Sequence, residues 1–367
     1  MYELAQRLTP DALEAIATQL YIEMLEAGYT SVGEFHYLHH DIGGVPFARR
    51  SEMSERLLAA ADASGIGITL LPVLYRWSGF GALAPLVEQS RFVNTVEAYV
   101  ALLDELAPLC QAPNRRLGVA PHSLRAVAPN DLHALLSTLA ERGAELPIHL
   151  HIAEQSGEVD AALAHVGSRP IEWLLHHANV DARWTLVHAT HVNIEELDAL
   201  AATGATVCVS PTTEANLGDG IFPLAMWRER GGPIAIGSDS QVSVDVTEEL
   251  RWLEYVQRLR HHERAVTPSP ETLYMEAARA GGRALGRQTG VLAAGYRADF
   301  LVLDPDYPAF AGGDIATLVD RFVIAGGSRA IHDVFVGGDR VVANGRHHRR
   351  DAFARAYRTT VETLFPA

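Results

Sequence analysis

Two cysteines, Cys110 and Cys208, are all that the 367 residues contain. They cannot build a disulfide framework or a thiolate zinc site, and they fit a reducing compartment. No run of about 18 apolar residues occurs, so no membrane-spanning helix is expected. Positive charge is scarce: 30 Lys and Arg stand against 45 Asp and Glu, a net charge of −15. That balance argues against general affinity for nucleic acid or an anionic membrane. The N-terminus, Met1-Tyr2-Glu3-Leu4-Ala5-Gln6-Arg7, lacks the basic-then-apolar pattern of a secretory signal. A dominant glycine-rich phosphate loop, the mark of doubly wound nucleotide-binding sheets, is also absent. These absences leave a soluble, cytoplasmic globular protein as the expectation.

What is present is an alternation. Thr9-Pro10 opens a helix, with Thr as the cap and Pro at the first helical position, and Gly28 closes it. Thr30–Phe35 reads as a strand running into the His-rich stretch His36-Tyr37-Leu38-His39-His40-Asp41. A helix over Ser51–Ser64, an apolar strand over Ile66–Leu74, a helix over Thr95–Leu109 and a strand over Arg116–Pro121 follow. That last strand ends in His122-Ser123-Leu124-Arg125. Asn130 is expected to cap the next helix, which Gly143 ends. The run Pro147–Ile152 is a buried strand whose end carries His151-x-x-Glu154. A helix over Pro170–Ala178 leads to a strand over Trp184–His188. Asn193 with Glu196 forms a capping box for a helix stopped by Gly204. Ala205–Ser210 is a strand, Pro211–Asp219 a loop, Pro233–Gly237 a strand ending in Ser238-Asp239-Ser240, and Thr247–Arg260 a long helix.

Alternating strands and helices, with strands that are continuous apolar runs, predict a parallel sheet covered on both faces. Polar residues gather at the C-terminal ends of the strands, where a (β/α)8 TIM-type barrel carries its chemistry. About seven barrel strands can be counted against the eight of that fold. The expectation is an α/β barrel missing its first strand, over residues 1–288. A small partial β-sandwich is expected over 289–348: a pair of strands within Gly290–Asp304 and a hairpin over His332–Val342. Residues 349–367 form a C-terminal helix, Asp351–Phe365.

On a barrel the strand ends Tyr37, His122, Arg125, His151, Glu154, His188 and Asp239 converge on one mouth. Imidazoles and carboxylates suit a divalent ion, with zinc the leading candidate. Such an ion lowers the pKa of bound water. Asp239 can ligate it and accept a proton, Glu154 can carry a proton to a leaving nitrogen, and His188 can ligate or donate a hydrogen bond. Each residue also has an ordinary structural role open to it: a core histidine, a helix cap at Asp239, a surface ion pair at Arg125.

His151-x-x-Glu154, His188, Ser238-Asp239 and the closing Gly295-x-x-Ala298-Asp299 resemble the amidohydrolase superfamily of metal-dependent barrels. Longer runs are similar to its formimidoylglutamate deiminases: Gly33-Glu34-Phe35-His36-Tyr37-Leu38-His39-His40-Asp41, His151-Ile152-Ala153-Glu154-Gln155, Pro211-Thr212-Thr213-Glu214-Ala215-Asn216-Leu217-Gly218-Asp219-Gly220 and Glu248–Leu253. The resemblance implies hydrolysis of N-formimino-L-glutamate to N-formyl-L-glutamate and ammonia, at one zinc ion per chain, in a cytoplasmic homodimer. It makes His151 and Asp239 metal ligands, with Glu154, His188 and Asp239 catalytic. Tyr37, His122 and Arg125 would bind the dicarboxylate, Arg125 as a bidentate clamp.

Family members also carry a His-x-His on a first barrel strand, supplying two further ligands. No such pair occurs before Gly28, and His149-x-His151 lies on the later strand. Gln241 stands where the family has a His. The expectation is an N-terminally truncated chain that binds zinc weakly and turns over poorly. Another deaminase or chlorohydrolase of the superfamily, or a non-catalytic remnant, remain the alternatives.

Overall fold

The computed structural model describes residues 2–365. The chain divides into two compact units: residues 1–23, 31–150 and 347–367 form one, and residues 24–30 and 151–346 the other.

The first unit holds the parallel strands β1 (Ser31–His36), β2 (Gly67–Leu74), β3 (Arg115–Leu117) and β4 (Ala120–Pro121). β1 and β3 flank β2, and β4 continues β3 along it. The break between them falls at Gly118, where an added Cβ would lie 2.5 Å from the Leu71 side chain. Every residue of β2 is buried, which is why its sequence shows no polar alternation. Leu71, Val73, Tyr75, Phe92 and Ala120 form a core cluster with Met53 of the helix Glu52–Ser64. Gly65 ends that helix in the left-handed conformation (φ 81°).

A second parallel sheet runs β5 (Ile148–Ile152), β6 (Trp184–His188), β7 (Thr206–Val209), β8 (Ile234–Ile236) in that order. β6 is buried throughout. The helix Ile194–Thr203 between β6 and β7 starts on the expected capping box: Asn193 Oδ1 accepts from Glu196 N at 2.8 Å, and Glu196 returns a bond to Asn193 N at 2.9 Å. Asp245 caps the helix Val246–His261 by accepting from the amides of Thr247 and Glu248. Counting β3 and β4 as one interrupted strand, the described residues hold seven parallel strands, the number expected.

Beyond them lies a four-stranded sheet of order β12-β11-β10-β9, from β9 (Phe300–Leu303), β10 (Ile331–Val336), β11 (Asp339–Ala343) and β12 (Arg346–His347). β10 pairs antiparallel with both β9 and β11. Gly337 and Gly338 turn the β10–β11 hairpin with positive φ.

Several local expectations are corrected. Pro211–Leu217 is helical, not a loop, with Pro at its start and Gly218 closing it at φ 74°. Seven residues are too few for apolar periodicity to declare itself. Asn130 lies inside the helix Pro129–Glu141; Ala128 is the cap residue and makes no side-chain cap bond. The stretch 290–304 contributes one strand, β9, because residues 290–299 are bends, one turn and irregular backbone. Helices Ser156–Val166, Leu224–Glu229 and Pro270–Ala284 were not expected.

Candidate metal-dependent active site

A residue of the candidate site lies at or just beyond the C-terminal end of each of β5, β6 and β8. His151 lies on β5, His188 closes β6, and Asp239 follows β8 by three residues. Ligand-capable atoms of these three lie within 4.8 Å of one another. The His151 and His188 rings are 5.4 Å apart between centroids, tilted by 46°.

His188 is fully buried and sits among carboxylates. Its Nδ1 lies 3.1 Å from Glu214 Oε1. Its Nε2 faces Asp239 Oδ2 at 3.4 Å and Glu154 Oε1 at 3.7 Å. Among the described residues, that Nε2 has no hydrogen-bond partner. Burial opposes the charged imidazole, yet the bond to Glu214 and the fields of Glu154 and Asp239 raise the His188 pKa on balance. Burial raises the carboxyl pKa of Glu154, with His188 opposing and Asp219 and Asp239 adding to it. The same cause leads at Asp239, with Glu214 and Asp219 contributing. Uncompensated negative charge in a partly desolvated site is what a bound cation relieves. Two imidazoles and a carboxylate also match the donor preferences of zinc and related divalent ions. The residues therefore fit a metal.

The backbone at these strand ends is strained. Of the eight non-glycine residues described with positive φ, five flank the site: Ala153, His188, Ala189, Asp239 and Gln241. Each costs on the order of 1 kcal/mol and persists because surrounding bonds enforce it. The Ala189 amide reaches the carbonyl of Ile152 at 3.0 Å, and the His191 amide that of Ala153 at 3.0 Å. Gln241 Nε2 donates to the carbonyl of Asp239.

Glu214 and Asp219 were missed as individual site residues because they sit in the stretch read as a loop. Glu214 also accepts from the Ser210 amide at 2.9 Å, so the helix start fixes it. Glu249 accepts from the amide and hydroxyl of Thr212 at 3.0 and 2.6 Å, locking that start in turn. Asp219 receives Gln155 Nε2 at 2.9 Å. The neighbouring Cys208 thiol is pushed up to about 12, by burial first, and is no nucleophile.

Tyr37, His122 and Arg125 belong to the first unit. The structure brings Tyr37 and His122 together: their rings meet edge-on at 6.0 Å between centroids, with Phe35 and Tyr75 at 5.8 and 5.0 Å from His122. Burial, with Arg125 nearby, lowers the His122 pKa to about 3, so it is a neutral hydrogen-bonding ring.

The model of the Amidohydrolase family matches residues 2–341. The formimidoylglutamate deiminase of Pseudomonas aeruginosa is 48% identical over 363 residues, 97% of this chain and 80% of that protein. A crystal structure of an amidohydrolase from Brucella melitensis, 43% identical, superposes with a TM-score of 0.91 over 99% of this chain and 81% of that one. An adenosine deaminase from Xanthomonas campestris with bound zinc shares the fold at 20% identity, TM-score 0.80, over 97% of this chain and 76% of that one. The parallel strands are those of a TIM-type α/β barrel, with an additional antiparallel sheet towards the C-terminus, and the chemistry is that of a hydrolase acting on carbon–nitrogen bonds of a small molecule. The chain belongs to the amidohydrolase family.

Proposed function

We propose that this protein deiminates N-formimino-L-glutamate, releasing ammonia and N-formyl-L-glutamate. The observation that carries the chemistry is the convergence of His151, His188 and Asp239 within 4.8 Å, beside Glu154. The substrate follows from the 48% identity to the Pseudomonas aeruginosa enzyme. His151 and Asp239 would hold the ion, zinc by preference. When bound, the ion supplies Lewis acidity that makes water a nucleophile at neutral pH.

The side chains supply the rest. Asp239 accepts the proton of the attacking water as its oxygen bonds to the formimino carbon. His188 Nε2 hydrogen-bonds the attacked group, with its ring held by Glu214. Glu154, whose raised pKa lets it carry a proton, and Asp239, passing on the proton it took, bring the formimino nitrogen to ammonia, which leaves as the C–N bond breaks; the remaining hydroxyl proton returns to Glu154 as the formyl C=O forms. Tyr37, His122 and Arg125 are assigned to the glutamate moiety. Arg125 serves its carboxylate, which a chain of net charge −15 would otherwise repel. No helix in the described residues is long and apolar enough to cross a membrane. We read the protein as a cytoplasmic enzyme whose working form is a homodimer.

Ammonia release from N-formimino-L-glutamate, compared with adenosine and 8-oxoguanine, tests the substrate. Preference for the formimino compound is expected. Preference for either purine reassigns the chain to another deaminase of the family.

A further inference from the structure

The helix Pro211–Leu217 turns three successive side chains to three different partners. Thr212 bonds Glu249, and Glu214 bonds His188. Thr213, between them, is fully buried. A threonine inside a helix can turn its hydroxyl back to the carbonyl four residues earlier. Here that carbonyl, of Val209, is taken by the Gly237 amide at 2.9 Å. Thr213 Oγ1 reaches instead to the turn that carries Asp239. It donates to the Ser238 carbonyl at 3.1 Å and accepts from the Ser240 amide at 3.2 Å. Ser240 Oγ lies 2.9 Å away and donates to the remaining lone pair. One donor and two acceptor positions are all that a hydroxyl offers, and all three are used.

The two backbone groups that Thr213 holds stand on either side of Asp239. The Ser238 carbonyl belongs to the peptide before it, and the Ser240 amide to the peptide after it. Asp239 has φ 45°, a left-handed conformation that a residue with a side chain keeps only where its surroundings enforce it. The turn supplies part of that enforcement, because the Gln241 amide donates to the same Ser238 carbonyl at 3.0 Å. That bond closes the turn on itself and does not tie it to anything else. Thr213 ties it to the helix, and the same helix carries Glu214. One turn of helix thus acts on both Asp239 and His188, whose Oδ2 and Nε2 lie 3.4 Å apart. The strand ends beneath are close enough to allow it: an added Cβ at Gly237 would lie 3.0 Å from Ser210 Oγ.

We infer that Thr213 is a positioning residue, whose hydroxyl holds Asp239 in the orientation that lets its carboxylate ligate the metal and take the proton of the attacking water. The inference rests on the role proposed for Asp239 and not on the identity of the substrate.

The test compares T213V, which keeps the shape and lacks the hydroxyl, with T213S, which keeps the hydroxyl and lacks the methyl. Zinc affinity of the full chain is measured by competition with a chromogenic chelator, and steady-state kinetics are measured on the zinc-loaded protein. T213V should bind zinc about tenfold more weakly or worse, the scale on which loss of a group that orients a metal ligand is felt. Its kcat should fall by about 10- to 100-fold with KM changed far less, as misplacement of a reacting group predicts. T213S should restore most of both. T213A, also without the hydroxyl, should repeat T213V, which separates the lost bonds from any misfit of valine. Melting of the metal-free proteins shows whether each variant is folded. A merely structural role would lower that melting temperature and leave zinc affinity unchanged. Zinc affinity is read without substrate, so a chain that acts on another compound leaves this comparison in force. Wild-type zinc affinity in T213V and T213A overturns the inference. So does a loss in T213S as large as theirs, or a wild type that binds no zinc.

Discussion

Glu214 Oε1 lies 3.1 Å from Nδ1 of His188, and both side chains are buried. The carboxylate thereby sets which imidazole nitrogen turns toward Asp239 and Glu154. Glu214 acts through His188 and is a positioning residue. E214Q should lower kcat by about 100-fold with KM changed far less, since the lost function is orientation of a hydrogen-bonding group. E214D should recover part of it. Steady-state kinetics of the two variants, with thermal melts to confirm folding, check this. Equal losses in both variants with lowered melting temperature would reduce Glu214 to a packing role.

Arg125 should behave differently. R125M is expected to raise KM by about 10- to 100-fold and leave kcat nearly unchanged, the signature of a lost ground-state contact to a carboxylate. A fall in kcat with constant KM would contradict the clamp.

Glu249 supplies a pH dependence of stability. Burial raises its carboxyl pKa from 4.5 to about 7, against the bonds from Thr212. A folded-state pKa above the unfolded one means that the native state binds the extra proton. Glu249's contribution is therefore fully present below about pH 4.5 and is lost as pH rises through about 7. E249Q keeps a neutral group in place. It should raise the unfolding free energy above that of the wild type at pH 8, by an amount on the order of 2–3 kcal/mol, and the gap should close at pH 5. Urea unfolding at the two pH values measures it. A gap that widens at low pH would show the wrong sign.

Gly290 opens the segment leading to β9. It has φ 85°, and an added Cβ would lie 2.2 Å from the Ala278 carbonyl oxygen. G290A should destabilise by about 2 kcal/mol or more, through both strain and collision with the helix Pro270–Ala284. The urea midpoint reports it, and an unshifted midpoint would refute the close approach.

The sequence was most legible where one physical cause acts alone. β6 shows it: Trp184–His188 is apolar because it is buried on every side, and its bounds matched. The Asn193–Glu196 capping box and the glycine stops at Gly65 and Gly204 are equally local signals. Legibility fell where elements are short or start without a side-chain cap. Pro211–Leu217 is one helix of this kind and Ser156–Val166, behind the uncapped Gln155, another. The helix Pro270–Ala284 does have a local start signal, Ser269 as cap before Pro270. In the candidate site, His151, Glu154, His188 and Asp239 stand out in the sequence because strand ends are where barrel chemistry collects, and the structure gathers them around His188. Glu214 does not stand out in the sequence because its contact with His188 depends on the short helix Pro211–Leu217. Its signal was a glutamate in the first turn after Pro211, ahead of the Gly218 stop.

The most direct test of the central claim is ammonia release from N-formimino-L-glutamate, measured with the metal content of the same sample. It is run on this chain and on D239N. Ammonia release that accompanies bound metal, and that D239N removes together with the metal, is the predicted result. Ammonia release undiminished by D239N, or absent from the wild type while metal is bound, would contradict it.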